Sequence, residues 1–311
     1  MLLLHETRCG VDEIRHEGAV AIADGHGEHS YGDTLAPVPL RSTGKPFILG
    51  ALLEEALGDE PFSDAELALM SGSHNGEPQH VSLLLELLAR YDISPELLKC
   101  GIHEKWKSWS IPSPLGNNCS GKHAAFLIAT KILGQPISNY TDIDTGLHRS
   151  IVARLTQFFG EQPHSFGIDG CSIPTCAFSL AAIARAYRRF ANDEAGPSCA
   201  RVRAAHRAAA FYVAGTDRLE SYLIGHYGLA AKSGSDGLWA LGIPTAGVGI
   251  SVKVWSGMEA AVQAVLLDII DRRGIIDIKS DPYLAPYHTR RRYSLAGSDV
   301  GMIEVCFLER H

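Results

Sequence analysis

Arg41-Ser42-Thr43-Gly44-Lys45-Pro46 is the stretch on which the reading of this chain turns. It reads Ser-x-x-Lys, closed by a proline and followed by an apolar run of Phe47, Ile48, Leu49, Ala51, Leu52 and Leu53. A proline has no N–H and fits a helix chiefly in its first turn, so Pro46 marks a helix start. Ser42 and Lys45 then share one face at that turn. A hydroxyl beside an amine that can lose its proton in a desolvated pocket is a nucleophile and its base. Alone the motif is short, and an exposed cap beside a surface lysine gives the same pattern.

Upstream, Ala19-Val20-Ala21-Ile22-Ala23 breaks at Asp24-Gly25-His26-Gly27, which reads as a strand, a tight turn and a second strand. Downstream, the helix after Pro46 runs to about Gly58. Ser63-Asp64-Ala65-Glu66 starts another helix, with acids in its first turn. That helix stops by the polar segment Ser71-Gly72-Ser73-His74-Asn75-Gly76-Glu77-Pro78. His80 to Tyr91 has helical leucine spacing. From Cys100 to Ser120 the patterning disappears. Trp106, Trp109, Pro112, Pro114 and Asn117-Asn118 suggest a long ordered loop, and such loops are more often functional than idle.

Ser120-Gly121-Lys122-His123 opens a helix to about Leu133. Residues 147–159, 177–192 and 198–213 read as helices, with Gly167 to Pro174 a loop by composition. Residues 229–256 read as strands with glycine turns, Met258 to Asp271 as a last helix, and Gly301 to Leu308 as a last strand. The expected fold is therefore mixed α/β (α+β). A central, mostly antiparallel sheet is built from both chain ends, with flanking helices and a helical lobe. Residues 1–311 are expected to form a single unit, with a sheet lobe near 1–60 and 225–311 and a helical lobe near 61–224.

Composition bounds the function. The 311 residues allow a substantial core, and 46% hydrophobic with 20% charged residues is ordinary for a globular chain. A net charge of -7 argues against a nucleic-acid partner, which wants a basic stripe. Arg290-Arg291-Arg292, with Arg272 and Arg273, reads as a solvated face. Met1-Leu2-Leu3-Leu4 is too short for a signal peptide's apolar core. Nothing approaches the roughly eighteen apolar residues of a membrane span. Seven scattered cysteines make a disulfide framework improbable, so the expected setting is a reducing cytoplasm. A homodimer is the expected assembly, on the general frequency of dimers among soluble enzymes.

Three short motifs fall in order: Ser42-x-x-Lys45, Ser73-His74-Asn75 and Lys232-Ser233-Gly234. Penicillin-recognising serine enzymes carry a similar series. The first serine attacks, the first lysine takes its proton when neutral, and the second serine relays protons to the leaving group. A second lysine lowers the first one's pKa by like-charge repulsion and helps stabilise developing negative charge.

Longer blocks sharpen the resemblance. They are Arg15-His16-Glu17-Gly18, Ser73-His74-Asn75-Gly76-Glu77-Pro78-x-His80, Cys100-Gly101, Asn117-Asn118-Cys119-Ser120-Gly121-Lys122-His123-Ala124, Asp169-Gly170-Cys171-Ser172-Ile173-Pro174-Thr175, Ala214-Gly215-Thr216 and Ala231-Lys232-Ser233-Gly234. In family order, and across most of the chain, they resemble the bacterial L-asparaginase II family typified by the rhizobial inducible enzyme.

That resemblance implies a β-lactamase/transpeptidase-like fold hydrolysing the side-chain amide of L-asparagine. It makes Ser42 the nucleophile and Lys45 its base, with Ser73 and Lys232 the second pair. It also implies a metal site for zinc at Cys119, Lys122 and Cys171. Thiolates suit zinc, while a lysine ligand must first be deprotonated; buried thiols hydrogen-bonded to a lysine are the plainer reading. Cys176 reads as core.

Asp169 is the residue expected to take the substrate's α-ammonium. Arg41 meets the α-carboxylate or braces its turn. His74, Asn75 and His123 flank the expected site, the histidines with either a structural or a substrate-binding role.

Two stretches depart from the family. Its Lys-Ser/Gly-Gly-Ala-Glu-Gly run is Lys232-Ser233-Gly234-Ser235-Asp236-Gly237 here, with a shorter acid. The Asp-Gly pair and following arginine are replaced by Ser256-Gly257 and Ala260, so both charges are missing together, as for an ion pair lost whole. The alternatives are a serine amidase or esterase with another pocket, a zinc-dependent hydrolase using the Cys119/Cys171 centre, and a silent amino-acid-binding protein.

Overall fold

Alternation along one strand explains the layering. Ala19, Ala21 and Ala23 belong to one apolar core, whereas Val20 and Ile22 belong to another. Successive strand side chains point to opposite faces. The small residues therefore face one layer and the β-branched ones the other. The sheet is thus buried on both sides, its small-residue side against one group of helices and its large-residue side against another.

The computed structural model describes residues 1–102, 112–288 and 291–307. Trp106, Trp109, Arg290 and Leu308 lie outside them. The chain begins β1 (Leu2–Arg8), β2 (Val11–Asp24), β3 (Gly27–Tyr31) and β4 (Pro37–Pro39). Helices α1 (Lys45–Leu52), α2 (Asp64–Ser71), α3 (Pro78–Arg90), α4 (Ser120–Ile132) and α5 (Gly146–Phe159) follow. Then come β5 (Ser165–Ile168), β6 (Pro174–Ser179), α6 (Leu180–Ala191), α7 (Pro197–Ala208), α8 (Ala210–Ala214) and α9 (Leu219–Tyr227). The chain returns to the sheet with β7 (Ala230–Gly234), β8 (Leu238–Ile243) and β9 (Val248–Val254). It closes with α10 (Glu259–Arg272), α11 (Ala285–His288), β10 (Arg291–Tyr293) and β11 (Asp299–Val305).

The main sheet runs β10-β11-β1-β2-β9-β8-β7, with β3 also on β2, and its pairings are antiparallel. It is built from both chain ends, as expected. On the small-residue face, Gly242 and Gly249 pair directly across β8 and β9. A methyl group on Gly249 would lie 2.0 Å from the Ala184 carbonyl oxygen, and one on Gly242 2.3 Å from that of Tyr187. The glycine pair is the slot into which α6 sinks. On the other face, Trp239, Leu241, Ile250 and Val252 pack with Val262, Leu266 and Ile269 of α10.

Three elements differ from the sequence reading. The stretch from Gly167 to Pro174 is not all loop: β5 and β6 form a hairpin that pairs with β4 in a small second sheet. Residues 177–179 belong to β6, and α6 starts only after Ser179, whose hydroxyl accepts the Ala182 N–H. The helix expected over 198–213 breaks at Ala209 into α7 and α8. Other starts agree with their signals. Ser63 and Glu66 form a reciprocal capping box at α2, and Pro46 sits in the first turn of α1. No helix among the described residues is long and apolar enough to cross a membrane.

Candidate active site

Ser42 lies in a single 3-10 turn, Arg41–Gly44, that leads into α1. Arg41 enters it at φ +45, a left-handed conformation uncommon for a side-chain-bearing residue. Its guanidinium is held from two sides, Nε donating to Asp169 Oδ1 at 2.8 Å and Nη1 to Asp236. The turn is clamped from behind: Thr43 Oγ1 donates to the Leu40 carbonyl at 2.6 Å, and Tyr187 of α6 donates to the Thr43 carbonyl at 2.8 Å. Helix α1 is anchored by Phe47, whose ring sits 4.9–5.4 Å from those of Phe159, Tyr187 and Phe190.

The buried Lys45 amine donates to the Gly72 carbonyl (2.7 Å), the Asn118 carbonyl (2.8 Å) and Ser73 Oγ (3.0 Å). It thereby ties the Ser-x-x-Lys turn to both other loops of the site. Ser73 is fixed by its own N–H on the Val213 carbonyl, and Asn75 by its N–H on that of Ala214. Ser42 and Ser73 line one cavity of about 350 Å³ with Asn75, Asn118, Arg218, Ser233, Gly234, Ser235, Glu259 and Gln263. Ser42 Oγ makes no protein hydrogen bond among the described residues.

Strand β7 brings Lys232 behind this cavity. Its amine is fully enclosed and donates to Glu220 Oε1 at 2.7 Å and to the Ser233 carbonyl at 3.1 Å. Burial, with Lys45 nearby, pushes the Lys232 pKa down to about 8 against the pull of Glu220. Glu220 takes four further constraints: the Ser233 N–H and hydroxyl on Oε1, Arg218 on Oε2, and its own burial. Burial alone would raise its pKa, but the Lys232 and Arg218 charges and these hydrogen bonds hold it well below the usual carboxylate range.

The other expected residues have distinct placements. The His74 Nδ1 accepts the Gly76 N–H, so Nε2 carries the proton and faces Ser120 Oγ at 3.0 Å. Burial and then the His80, Lys45 and Arg218 charges keep this ring neutral. His123 Nδ1 faces the Tyr140 hydroxyl at 2.8 Å, and burial followed by the Lys122 and Lys45 charges pushes its pKa down to about 3. Neither histidine is in the wall of the Ser42 cavity. Asp169 and Arg41, paired with each other, line a neighbouring cleft of about 460 Å³ under the β5–β6 hairpin. Asn75 does line the Ser42 cavity, and its Oδ1 accepts from Arg218 at 3.0 Å.

The Cys119 and Cys171 thiols are neighbours, and Lys122 lies beside both. Asp169 Oδ2 is 3.8 Å from the Lys122 amine and 3.8 Å from Cys171 Sγ. Two thiols and the Lys122 amine thus lie near Asp169. Burial opposes the ammonium, but the neighbouring Cys119, Cys171 and Asp169 raise its pKa. The thiols suit a thiophilic cation, and the amine would have to lose its proton to join them. No group of three or more His, Cys, Asp and Glu side chains is placed to share a metal among the described residues. Cys176 is buried and free. Ser256, where the family's acid is missing, meets His16 Nδ1 at 2.8 Å, and the His16 Nε2 meets Glu6.

Arg218, Glu220, Glu259 and Gln263 carry no motif and were not legible as site residues. A weak signal existed for Glu220, an acid beside the helical Leu219-x-x-x-Leu223-Ile224 spacing shortly before a lysine strand. Glu259 reads as an ordinary first-turn acid of a helix.

The class to which this chain belongs is that of hydrolases acting on amides. The family model described as L-asparaginase II matches residues 4–305, and the chain is a member of that family. No curated protein sequence matches it significantly. Among solved structures it is similar to Mglu in its native form, at 15% identity and a TM-score of 0.49, over 83% of this chain and 65% of that one. The chain thus spans under two-thirds of the length of Mglu. It is also similar to a Bacillus glutaminase (13% identity, TM-score 0.49, 84% of this chain and 92% of that). A β-lactamase from Mycobacterium bovis shares 12% identity at a TM-score of 0.44, over 83% of this chain and 95% of that one.

Proposed function

We propose that this protein hydrolyses the side-chain amide of L-asparagine to aspartate and ammonia through an acyl-enzyme on Ser42. The observation that carries the reading is the Lys45 amine 3.0 Å from Ser73 Oγ, with the hydroxyls of Ser42 and Ser73 on one cavity wall. In the acylation step Ser42 Oγ bonds to the amide carbon and its proton passes to neutral Lys45. The C–N bond then breaks, and Lys45 returns that proton through Ser73 to the leaving nitrogen, which departs as ammonia. Water attacks the ester, gives a proton to Lys45, and releases aspartate as Ser42 regains its proton. Lys232 keeps positive charge behind the pair, which favours a developing oxyanion.

Cys119, Lys122 and Cys171 would hold a zinc ion in the same reading. A bound zinc supplies Lewis acidity and charge beside the site. The chain's own part there is to hold Asp169, and through it Arg41, against the Ser42 turn.

The test is ammonia release from L-asparagine and L-glutamine by the wild type and Ser42→Ala. Release from asparagine should fall by roughly 10³-fold or more in the variant. Release that survives the substitution removes Ser42 as nucleophile, and selective release from glutamine overturns the substrate.

A further inference from the structure

The cavity that exposes Ser42 ends on α10, an element that the amide chemistry just described does not use. Glu259, the first residue of that helix, and Gln263, one turn on, both line it. Glu259 Oε1 accepts two hydrogen bonds, from the Trp239 indole N–H at 2.9 Å and from the Gln263 amide at 3.0 Å. Oε2 has no hydrogen-bond partner among the described residues. Trp239 is fully buried and pairs directly with Ser233 across β7 and β8. The carboxylate is therefore pinned, by a rigid side chain, next to the strand that carries Ser233 and Gly234 into the cavity and Lys232 behind it. Glu259 is itself exposed, so Oε2 is open to a ligand entering the cavity.

Charge points the same way. Arg218 lines the same cavity. The charged groups around the cavity are Lys45, Lys232 and Arg218 together with Glu220 and Glu259. Glu220 is already consumed by Lys232, Ser233 and Arg218. Glu259 is the other carboxylate of the cavity, whose Arg218 is bonded to Glu220 Oε2 at 2.7 Å and Asn75 Oδ1 at 3.0 Å. Lys232 and Arg218 share the one carboxylate of Glu220, so that cluster keeps a net positive charge, and with Glu259 across the cavity the charge pattern matches a zwitterion. Asp169, the acid expected from the sequence to meet an α-ammonium, is turned instead to Arg41, the Gly170 N–H and the Lys122 amine.

We propose that Glu259 is the specificity-determining residue that accepts the α-ammonium of the substrate, with Arg218 supplying positive charge for its α-carboxylate. The site then selects free α-amino-acid amides over amides that lack the ammonium group. The inference rests on the amidohydrolase reading for its chemistry, but its geometry concerns binding and is tested separately.

The experiment is calorimetric titration of Ser42→Ala protein, with and without Glu259→Gln, using L-asparagine and succinamate. Succinamate is the same molecule without the amino group. Asparagine should bind roughly tenfold to hundredfold more tightly than succinamate, the range expected for a charge-assisted hydrogen bond. Glu259→Gln should abolish that ratio while leaving succinamate affinity unchanged. A merely structural Glu259, holding Trp239, would weaken both ligands together, and that result overturns the inference. So does equal binding of both ligands, or binding of neither. Ammonia release by the wild type scores the other reading on its own. Discrimination in binding without release sinks the amidohydrolase and leaves the Glu259 role standing. Release without a Glu259-dependent preference does the reverse.

Discussion

Lys232 and Glu220 show at a single pair of residues how buried charge is tied to both stability and chemistry. Lys232 is an ammonium below about pH 8 and neutral above it, because burial outweighs the attraction of Glu220. If its charge serves the oxyanion, kcat/KM should fall as pH rises through about 8. Lys232→Arg, whose guanidinium stays charged, should carry the plateau beyond about pH 9 at reduced height. A pH profile without that falling limb in the wild type removes the electrostatic role. Stability obeys the two signs separately. Glu220 has its pKa depressed, so its contribution is present above the ordinary 4.5 and is lost as pH falls below it. Lys232 also has its pKa depressed, which for a cation means a cost that is full below about 8 and relieved between there and the ordinary 10.5. Glu220→Gln leaves the ammonium buried without its counter-charge and should cost about 3–5 kcal/mol at neutral pH. Urea midpoints from pH 5 down to about 2 should fall with acid in the wild type and be flatter in this variant.

At the scale of elements, the contact of α6 with the sheet depends on having no side chain at two paired positions. Gly249→Ala would drive a methyl group against the Ala184 carbonyl, and Gly242→Ala one against that of Tyr187. Backbone cannot yield as a flexible side chain does, so each should destabilise by about 1–3 kcal/mol or more. Gly25→Ala, with nothing within 4 Å of the added methyl, is the control expected to leave the denaturation midpoint in place. The same contact explains what was legible. Glycine turns and apolar runs disclosed β2, β7 and β9, and Pro46 and Ser63 disclosed two helix starts, because these signals are local. The β5–β6 hairpin was hidden because all four residues of β5 are exposed, so no alternation marks the strand. β1 was hidden inside a short apolar run that only its neighbours β2 and β11 turn into a strand. In the site, Ser42, Lys45, Ser73 and Lys232 came from motifs. Glu220, Arg218 and Glu259 did not, because what singles them out is which strand and cavity they face, and that is set by packing across more than a hundred residues of intervening chain.

Across the whole molecule, the two apolar cores meet at the sheet, and the Ser42 cavity draws its walls from both sides of that division. Ser42 and Ser73 come with the helical lobe, whereas Ser233, Glu259 and Gln263 come with the late strands and α10. Arg41 joins the parts, bonding Asp169 on the β5–β6 hairpin and Asp236 on the β7–β8 turn. Asp169 stands two residues from Cys171, and Cys171 meets Cys119 at the start of α4. A zinc ion on Cys119, Lys122 and Cys171 would therefore fasten the hairpin to the helical core, on the far side of Asp169 from the Ser42 turn. A ligand that binds the folded chain alone stabilises it by RT ln(1 + [L]/Kd), about 2.7 kcal/mol at a hundredfold excess over Kd. Thermal unfolding of the wild type with added zinc should shift upward, saturating at one ion per chain by metal analysis. Cys119→Ser and Cys171→Ser should each lose the shift, while Cys176→Ser, whose thiol is buried outside the convergent set, should keep it. If the wild type shows no shift, or if Cys171→Ser shifts as far as the wild type, the thiols are packing groups and Lys122 serves Asp169 as a counter-ion. In that case Asp169→Asn should cost stability equally with and without zinc.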